Sequence, residues 1–381
     1  MSPPLTIALA NSGRRWIGEV AHVAMLYEQL EAAGQRPWIV CRRGFALERF
    51  ARERDWRVLA LHFRHGLTPW HDAQDVSRWL RLVRREGIDL LHCHRGKDHW
   101  LGIAVARLGR RPLVRTRHVV MPVRRHPFNR WLYLRATDAV ICVSRAVQAG
   151  FGPWQPHLPL SRVILSAVDP ERFDPRRRSD AWRRQHVSPT LPQPPAQGAE
   201  PVWFGLVGRY HAIKGHDVFL EAAAQVARDH PTAHFMIAGQ GSRGRKKAMQ
   251  ARAAELGIGD RVWTARNLPN LPKVLASMDV GVIASLGSEG SSRIALEMMA
   301  SGLPLVASAV GGIPELTEPS GAARLATPGD AGALAAAMAA WLTDPEARGR
   351  AGQAAREHML RRHHPQAWIE AVLETYASIR H

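Results

Sequence analysis

Residues 285–300 read Ser-Leu-Gly-Ser-Glu-Gly-Ser-Ser-Arg-Ile-Ala-Leu-Glu-Met-Met-Ala, a loop of small residues that runs into the first turns of a helix. Residues 279–284 before it are Asp-Val-Gly-Val-Ile-Ala, the continuous apolar run of a buried parallel strand. Ser291 or Ser292 is a good N-cap for the helix. The loop is therefore predicted at the carboxyl end of a strand, where open α/β sheets bind ligands and where free backbone N–H groups favour an anion.

Glu297 is unusual in this stretch because its neighbours are typical packing residues. These neighbours are Ile294, Leu296, Met298 and Met299. Burying a carboxylate costs roughly several kcal/mol unless something hydrogen-bonds it. Two hydroxyl groups of a ribose could donate these hydrogen bonds. An arginine or a backbone N–H group could donate them equally well.

The segment around Glu289 and Glu297 resembles the donor-site signature of a large family of retaining GT-B glycosyltransferases, the family 4 type. That family includes bacterial lipopolysaccharide and mannosyl transferases. Its signature is two glutamates separated by seven residues, with small residues after the first, as in this chain. An apolar strand and a Gly-Gly turn at 311–312 follow, as in the family. The resemblance covers nearly the whole chain and is strongest over residues 202–317.

The resemblance implies a GT-B fold, which is α/β with two Rossmann-like domains whose parallel sheets face a central cleft. The amino-terminal half agrees, because apolar strand-like runs alternate with helical patterns at the spacing of βαβ units. The predicted division is an acceptor-side domain over residues 1–186, a proline-rich linker over 187–201 and a donor-binding domain over 202–362. A last helix over 363–381 is expected to return to the first domain.

A second loop, residues 208–215, reads Gly-Arg-Tyr-His-Ala-Ile-Lys-Gly and precedes a predicted helix that begins at His216. Two cations five residues apart, ahead of a helix N-terminus, can converge on a diphosphate. By the resemblance, Arg209 and Lys214 would hold the pyrophosphate of the leaving nucleotide. Two exposed loop cations without a ligand are the alternative. The glycine, lysine and Ser/Thr order of a Walker A motif is absent.

The resemblance also assigns roles around the two glutamates. Glu297 would hold the ribose of the donor. Glu289 would hold the hydroxyl groups of the donor sugar, together with the backbone N–H groups of Gly290, Ser291 and Ser292. No Asp-x-Asp metal site occurs, so the expected reaction needs neither a metal ion nor a cofactor, and the leaving phosphate accepts the proton of the acceptor.

Two further residues of the amino-terminal half are assigned in the same way. His118 follows a predicted strand over 113–116 and would contact the donor sugar near the reacting carbon, whereas a histidine bonded to a loop carbonyl is the alternative. Gly18 lies between the first strand and the first helix and would lie against the donor diphosphate. The family usually carries two adjacent glycines there, and this chain keeps only one. Gly18 could instead simply permit tight helix packing.

The cysteine and histidine positions predict no metal site. His92 and His94 end one predicted strand and share a face, but no further His, Asp or Glu has convincing ligand spacing in the sequence. Cys41, Cys93 and Cys142 are expected to be buried thiols of a cytosolic protein, because each lies at or near the end of an apolar run.

The net charge of +19 is concentrated in residues 1–186, which hold 33 Lys and Arg against 16 Asp and Glu. This excess of positive charge in one half of the chain favours an anionic partner. Residues 124–135 interleave basic and aromatic side chains, which suits a membrane headgroup layer or a phosphorylated lipid. They would also suit stacking on nucleic acid bases, or a plain amphipathic helix with Trp131 and Leu134 in the core. No apolar run is long enough for a transmembrane helix, and the first ten residues predict a strand and no signal peptide.

The favoured hypothesis is a hexosyl- or heptosyltransferase that uses a nucleotide-diphosphate sugar. Its acceptor would be a glycolipid or phosphorylated glycan such as lipopolysaccharide core. The protein is expected in the cytoplasm, at the anionic inner face of the cytoplasmic membrane, without nucleic acid. Two alternatives stay open: a GT-B sugar-nucleotide epimerase or phosphorylase, and a non-enzymatic nucleic-acid-binding protein that uses the basic half.

Overall fold

The computed structural model of the 381-residue chain describes residues 3–179, 183, 185, 187, 201–266 and 270–379. The chain forms two compact units. The first consists of Met1–Ser166 together with Pro365–His381, and the second of Ala167–His364. Each unit contains one parallel β-sheet.

The sheet of the first unit has seven strands. They are β1 Thr6–Asn11, β2 Arg36–Arg42, β3 Val58–Leu61, β4 Leu90–Cys93, β5 Leu113–Arg117, β6 Ala139–Cys142 and β7 Leu160–Val163. Their order across the sheet is β3-β2-β1-β4-β5-β6-β7, and neighbouring strands pair in parallel. The direction of the strand order reverses between β1 and β4. The carboxyl ends of these two strands therefore flank the crevice where such a sheet binds ligands.

The sheet of the second unit has six strands. They are β8 Val202–Val207, β9 Ala233–Gly239, β10 Val262–Arg266, β11 Val280–Ile283, β12 Leu305–Ser308 and β13 Ala323–Ala326. Their order is β10-β9-β8-β11-β12-β13, again with parallel pairing. The reversal here falls between β8 and β11, which are the strands that precede the two loops singled out in the sequence.

Most α-helices of the described residues lie between successive strands, as βαβ units require, and the last three follow β13. They are α1 Gly18–Ala32, α2 Ala46–Arg52, α3 Pro69–Arg85, α4 Gly96–Gly109, α5 Pro127–Leu134, α6 Arg145–Ala149, α7 His216–Asp229, α8 Arg243–Glu255, α9 Leu271–Leu275, α10 Arg293–Ala300, α11 Ile313–Thr317, α12 Ala331–Leu342, α13 Pro345–Arg362 and α14 Pro365–Ala377. None of the described helices is both long and apolar enough to cross a membrane.

The strands form where the sequence is continuously apolar, because helices cover them. Every residue of β1 and of β9 is buried. Large aromatic side chains fill the two cores, such as Trp79 in the first unit and Phe235 in the second. Burying each such side chain contributes roughly 2–3 kcal/mol, so these rings anchor their units. The three cysteines are free and buried, as predicted.

The first unit ends at Ser166, ahead of the predicted domain boundary at 186. Val168 and Phe173 belong to the hydrophobic core of the second unit. Arg356 of α13 donates a hydrogen bond to the Phe173 carbonyl oxygen at 3.2 Å. These long-range contacts attach the segment that follows Ser166 to the second unit, and the local sequence pattern does not reveal them.

The last helix, α14, belongs to the first unit, which is therefore made of two separate segments of sequence. Its Trp368 ring lies 5.0 Å from the ring of His22, centroid to centroid. The Tyr376 hydroxyl lies 2.7 Å from Nδ1 of His92. Of the predicted linker over 187–201, only the first and last residues lie within the described part of the chain.

Candidate functional site

In the second unit, two loops meet at the reversal point between β8 and β11. One is the loop over residues 208–215 after β8, and the other is the loop over 284–292 after β11. The backbone N–H of Leu286 donates to the carbonyl oxygen of Ile213 at 2.9 Å. The two loops are therefore joined through their backbones, independently of the side chains they carry.

Gly215 brings the two loops into close contact. It follows the short 3₁₀ turn Ala212–Lys214 with a φ of +64°, in the left-handed region. A Cβ atom on Gly215 would lie 1.8 Å from the carbonyl oxygen of Ala284. Only glycine combines this conformation with so close an approach. Gly215 therefore fixes the position of Lys214 relative to the end of β11.

Lys214 and Glu289, predicted from separate loops, form an ion pair between Nζ and Oε1. The hydroxyl of Ser285 donates to the same carboxylate oxygen at 2.5 Å. The Glu289 side chain is buried, and the residue is only 4% exposed. The stem of Lys214 lies against Gly208, with Cδ 3.6 Å from the place where a Cβ would stand. A cation and a carboxylate are thus held together at the ligand-binding edge of the sheet.

Arg209 lies on the same loop as Lys214 and is exposed. Among the described residues, no carboxylate lies within salt-bridge distance of Arg209. An exposed guanidinium without a paired carboxylate, beside a buried ion pair, suits an anionic ligand.

Ser292 starts α10 in an unusual conformation. Its φ is +38°, and its side chain makes no capping hydrogen bond. The start of the helix was predicted correctly, but the prediction of side-chain capping was wrong, because a capping residue needs an extended backbone. The Ser292 hydroxyl has no hydrogen-bond partner among the described residues, although Ser292 is 4% exposed. Ser288, at φ +60°, is left-handed as well. Between them, Gly290 is buried and Ser291 is half-buried.

Glu297 is 8% exposed on α10. Arg293, one turn earlier, donates from Nε to Oε1 of Glu297 at 3.0 Å. Burial raises the pKa of the Glu297 carboxyl, and the charge of Arg293 opposes that shift. The arginine pairing that the sequence left open is therefore present, and the contact with a ribose stays a prediction.

In the first unit, Asp98 organises the crevice between β1 and β4. It is fully buried and accepts hydrogen bonds from the Ser12 hydroxyl at 2.8 Å and from the backbone N–H groups of His94 and Arg95 at 2.8 and 2.9 Å. Burial raises the pKa of Asp98, and Arg115 opposes that rise. Asp98 thus ties the loop after β1 to the loop after β4.

His118 follows β5 and is half-buried. Its Nε2 lies 3.2 Å from Nδ1 of His94, and its ring centroid lies 4.8 Å from that of His22. Burial, with the neighbouring His22 and Arg115, lowers the pKa of His118 well below its usual range. Its described partner is another imidazole, which differs from the loop carbonyl considered as the alternative. His22 was not predicted, because a single histidine on an apolar helix face is common and carries no signal of function.

Gly18 is exposed and is the first residue of α1. The next residue, Glu19, accepts a hydrogen bond from Nδ2 of Asn11 at 2.7 Å. Gly18 therefore lies next to the loop after β1, as predicted from its position, and its contact with a diphosphate stays a prediction.

Two family models match the chain. Residues 18–172 match the model described as Glycosyltransferase Family 4, and residues 201–344 match the model described as Glycosyl transferases group 1. The chain belongs to the family 4 glycosyltransferases. The segment that contains Lys214, Glu289 and Glu297 lies inside the second match.

This family 4 glycosyltransferase is 29% identical over 288 residues to the MMP alpha-(1->4)-mannosyltransferase of Mycolicibacterium hassiacum. The match covers 74% of this chain but only 63% of that protein, so this chain aligns with less than two thirds of its relative.

Solved structures confirm the predicted GT-B fold. A glycosyltransferase of Rickettsia africae matches with a TM-score of 0.88 at 17% identity, over 99% of both chains. HepE of Anabaena, in complex with UDP and glucose, matches with a TM-score of 0.82 at 20% identity, over 98% of this chain and 100% of that one. At these identities the likeness shows the fold alone.

Proposed function

We propose that this family 4 glycosyltransferase transfers a sugar from a nucleotide-diphosphate donor to a hydroxyl group, with retention of configuration. The observation that carries the proposal is the convergence of Lys214 and Glu289 at the reversal point of the second sheet. A cation there can meet the diphosphate, and a carboxylate can accept hydrogen bonds from sugar hydroxyls. The complex of the structurally similar HepE with UDP supports a nucleotide-sugar donor.

In this proposal, negative charge grows on the leaving diphosphate as the bond to the sugar breaks. Lys214 offers three N–H donors and uses one of them on Glu289, so two are available for the phosphate oxygens. Arg209 adds a second positive charge from the same loop. Preorganised charges of this kind stabilise the transition state because they need no rearrangement when the charge appears. The proton of the acceptor hydroxyl goes to the leaving phosphate oxygen.

The other predicted residues hold the donor. Glu289, fixed by Ser285, accepts from the hydroxyl groups of the sugar, and Glu297 accepts from the ribose. The backbone N–H groups of Gly290, Ser291 and Ser292 add donors. In the first unit, His118 contacts the sugar and Gly18 approaches the diphosphate. This proposed chemistry requires no metal ion and no cofactor.

The first test is nucleotide binding by the full chain. One of UDP, GDP and ADP should raise the midpoint of thermal unfolding, because a ligand at about 100 times its dissociation constant adds roughly 2.7 kcal/mol. For a cooperative unit the size of the second one, that corresponds to about 5–10 °C. Glu297→Ala should weaken nucleotide binding about tenfold through the loss of the ribose hydrogen bonds.

Glu318→Ala is the matched control, because Glu318 is an exposed glutamate of the same unit. It should keep the full rise in midpoint. A chain that no nucleotide stabilises, or a Glu297→Ala variant that binds as tightly as the wild type, would contradict the proposed donor site.

For the acceptor, we infer a membrane glycolipid or phosphorylated glycan such as lipopolysaccharide core. The first unit exposes large apolar side chains, which we call the apolar surface: Leu67, Trp70, Val119, Met121, Phe128 and Trp131. Trp131 is 44% exposed and α5 instead buries Leu132 and Tyr133, so the alternative of a plain amphipathic helix with Trp131 in the core does not hold.

Contacts of Lys97 and Trp100 on α4 connect the loop before α3 to α5. Nζ of Lys97 donates to the carbonyl oxygen of Gly66 at 2.8 Å and lies 4.6 Å from the ring centre of Trp100. Trp100 in turn contacts Phe128, with ring centroids 6.5 Å apart. Exposed arginines border α5 at 124, 125, 130 and 135. Aromatic rings beside cations suit the headgroup layer of an anionic membrane.

Vesicle binding tests this surface. The double variant Phe128→Asp, Trp131→Asp should bind phosphatidylglycerol vesicles at least about tenfold more weakly than the wild type, because two rings no longer enter the interface and two negative charges oppose the lipid. Leu360→Asp is the control, since Leu360 is a 43% exposed apolar residue of the second unit. Equal binding by all three proteins, or tighter binding to a DNA duplex than to vesicles, would contradict the membrane proposal.

A further inference from the structure

Three histidines of the first unit form a cluster, and the proposed transfer reaction gives a role to only one of them, His118. His22, His94 and His118 each offer one ring nitrogen, and these nitrogens lie within 4.8 Å of one another. His22 lies on α1, His94 follows β4 and His118 follows β5. The cluster therefore combines one helix with the carboxyl ends of two neighbouring strands.

One pair of nitrogens and the spacing of the rings match those of a tetrahedral metal site. An ion with metal–nitrogen bonds of about 2.05 Å separates its ligand nitrogens by about 3.3 Å and the imidazole centres by about 5 Å. Nδ1 of His94 lies 3.2 Å from Nε2 of His118. The three ring centroids are 4.8, 5.5 and 5.7 Å apart. Binding one ion requires ring rotations that close the remaining nitrogen separations, which are at most 4.8 Å, to about 3.3 Å.

A fourth histidine nearby, His92, is excluded from this set. Its Nδ1 pairs with the Tyr376 hydroxyl and its Nε2 with the Thr116 hydroxyl, both at 2.7 Å. In contrast, Nδ1 of His94 faces only the His118 ring, and its Nε2 has no hydrogen-bond partner among the described residues, although His94 is 1% exposed.

The charges around the cluster are mixed. Arg115 lies near the histidines and its positive charge opposes the binding of a cation. The negative charge of Asp98, whose carboxylate accepts a hydrogen bond from the backbone N–H of His94, favours it. An all-nitrogen set selects a divalent transition metal rather than Mg²⁺ or Ca²⁺, which prefer oxygen.

We propose that His22, His94 and His118 bind one divalent transition-metal ion, best matched by Zn²⁺, through three imidazole nitrogens, with a fourth position open to water. His118 is half-buried and gives the ion access from solvent. Bound metal removes the His118 lone pair from the donor sugar. Zn²⁺ is therefore a reversible inhibitor of transfer, a consequence that, unlike the binding itself, rests on the proposed function.

The experiment titrates the full chain with Zn²⁺ by calorimetry and with Co²⁺ by visible absorption. The wild type should bind one ion with the intense absorption of tetrahedral Co²⁺. His22→Ala and His94→Ala should each weaken binding by about 100-fold or more, since even the loss of an outer-shell contact costs 10–100-fold. His65→Gln should leave binding unchanged, because His65 is exposed and outside the cluster.

His118→Ala provides a second test in case the buried variants do not fold, since His118 is less buried than the other two. Loss of the tetrahedral absorption in the cluster variants, with wild-type absorption in His65→Gln, supports the site. Unchanged Co²⁺ absorption in the folded cluster variants overturns it, because the chain has 19 histidines that could bind metal elsewhere. Inhibition by Zn²⁺ that EDTA reverses, and that His22→Ala resists, tests the consequence. The Co²⁺ absorption tests metal binding even if no transferase activity is found.

Discussion

Replacing Lys214 by alanine is expected to lower kcat/KM for sugar transfer by about 10²–10³-fold, the usual effect of removing one preorganised donor from a charged transition state. The ammonium group is held by Glu289 on a loop that backbone contacts fix in place. It therefore needs no rearrangement to meet the diphosphate. Steady-state kinetics with the nucleotide sugar that binds would measure the loss.

Lys247→Ala is the control for this change, because Lys247 is an exposed lysine of the same unit. Its kcat/KM should equal that of the wild type. If Lys214 acted only as the structural partner of Glu289, Lys214→Ala would lower the free energy of unfolding and leave kcat unchanged in the folded fraction. The double variant Lys214→Ala, Glu289→Gln should lose less transition-state stabilisation than the sum of the losses in the two single variants, because the two residues are in contact. Wild-type kcat in folded Lys214→Ala protein would refute the proposed catalytic role.

Gly215→Ala is expected to lower the free energy of unfolding by about 3 kcal/mol or more. A left-handed backbone costs a residue with a Cβ about 1–2 kcal/mol, and forcing that atom against a neighbour adds about 1–3 kcal/mol. The neighbour is the carbonyl oxygen of Ala284, so backbone must move. The midpoint of thermal unfolding of the second unit should fall by about 6–12 °C. The shift would also move Lys214 and weaken nucleotide stabilisation.

Gly321→Ala separates the two causes. Gly321 has the same φ of +64°, but no heavy atom lies within 4 Å of its added Cβ. This variant should lose only about 1 kcal/mol and keep its nucleotide response. If both variants lost the same free energy of unfolding, the close approach of the two loops would not explain the loss in Gly215→Ala.

The sequence predicted those parts of the structure that depend on local pattern. Continuous apolar runs located the strands that precede the two site loops, because a helix-covered sheet buries both faces of its strands. The loops with Arg209, Lys214 and Glu289 were found because small residues and glycines stand between such a strand and a helix, and Glu297 lies on the helix that follows the second loop. Their meeting at one edge follows from parallel topology, although the contact between Lys214 and Glu289 needed the structure.

What the sequence did not predict depends on distant partners. His22 and His118 lie far apart in the chain and meet only because α1 packs beside the ends of β4 and β5. The bond of Asp98 to Ser12, which joins two loops, connects residues 86 positions apart in the chain. The end of the first unit at Ser166 follows from packing against α13, which no local signal records.

The division of the first unit into two segments has a consequence for its biosynthesis. A chain emerges from the ribosome amino-terminus first, and domains generally fold as they appear. Here the residues up to Ser166 emerge first but lack α14, which supplies Trp368 and Tyr376 to their core. The second unit is complete once residue 364 has emerged. The part of the protein that is synthesised first therefore reaches its native state last, and a nascent chain stopped before Pro365 would hold a finished second unit beside an unfinished first one.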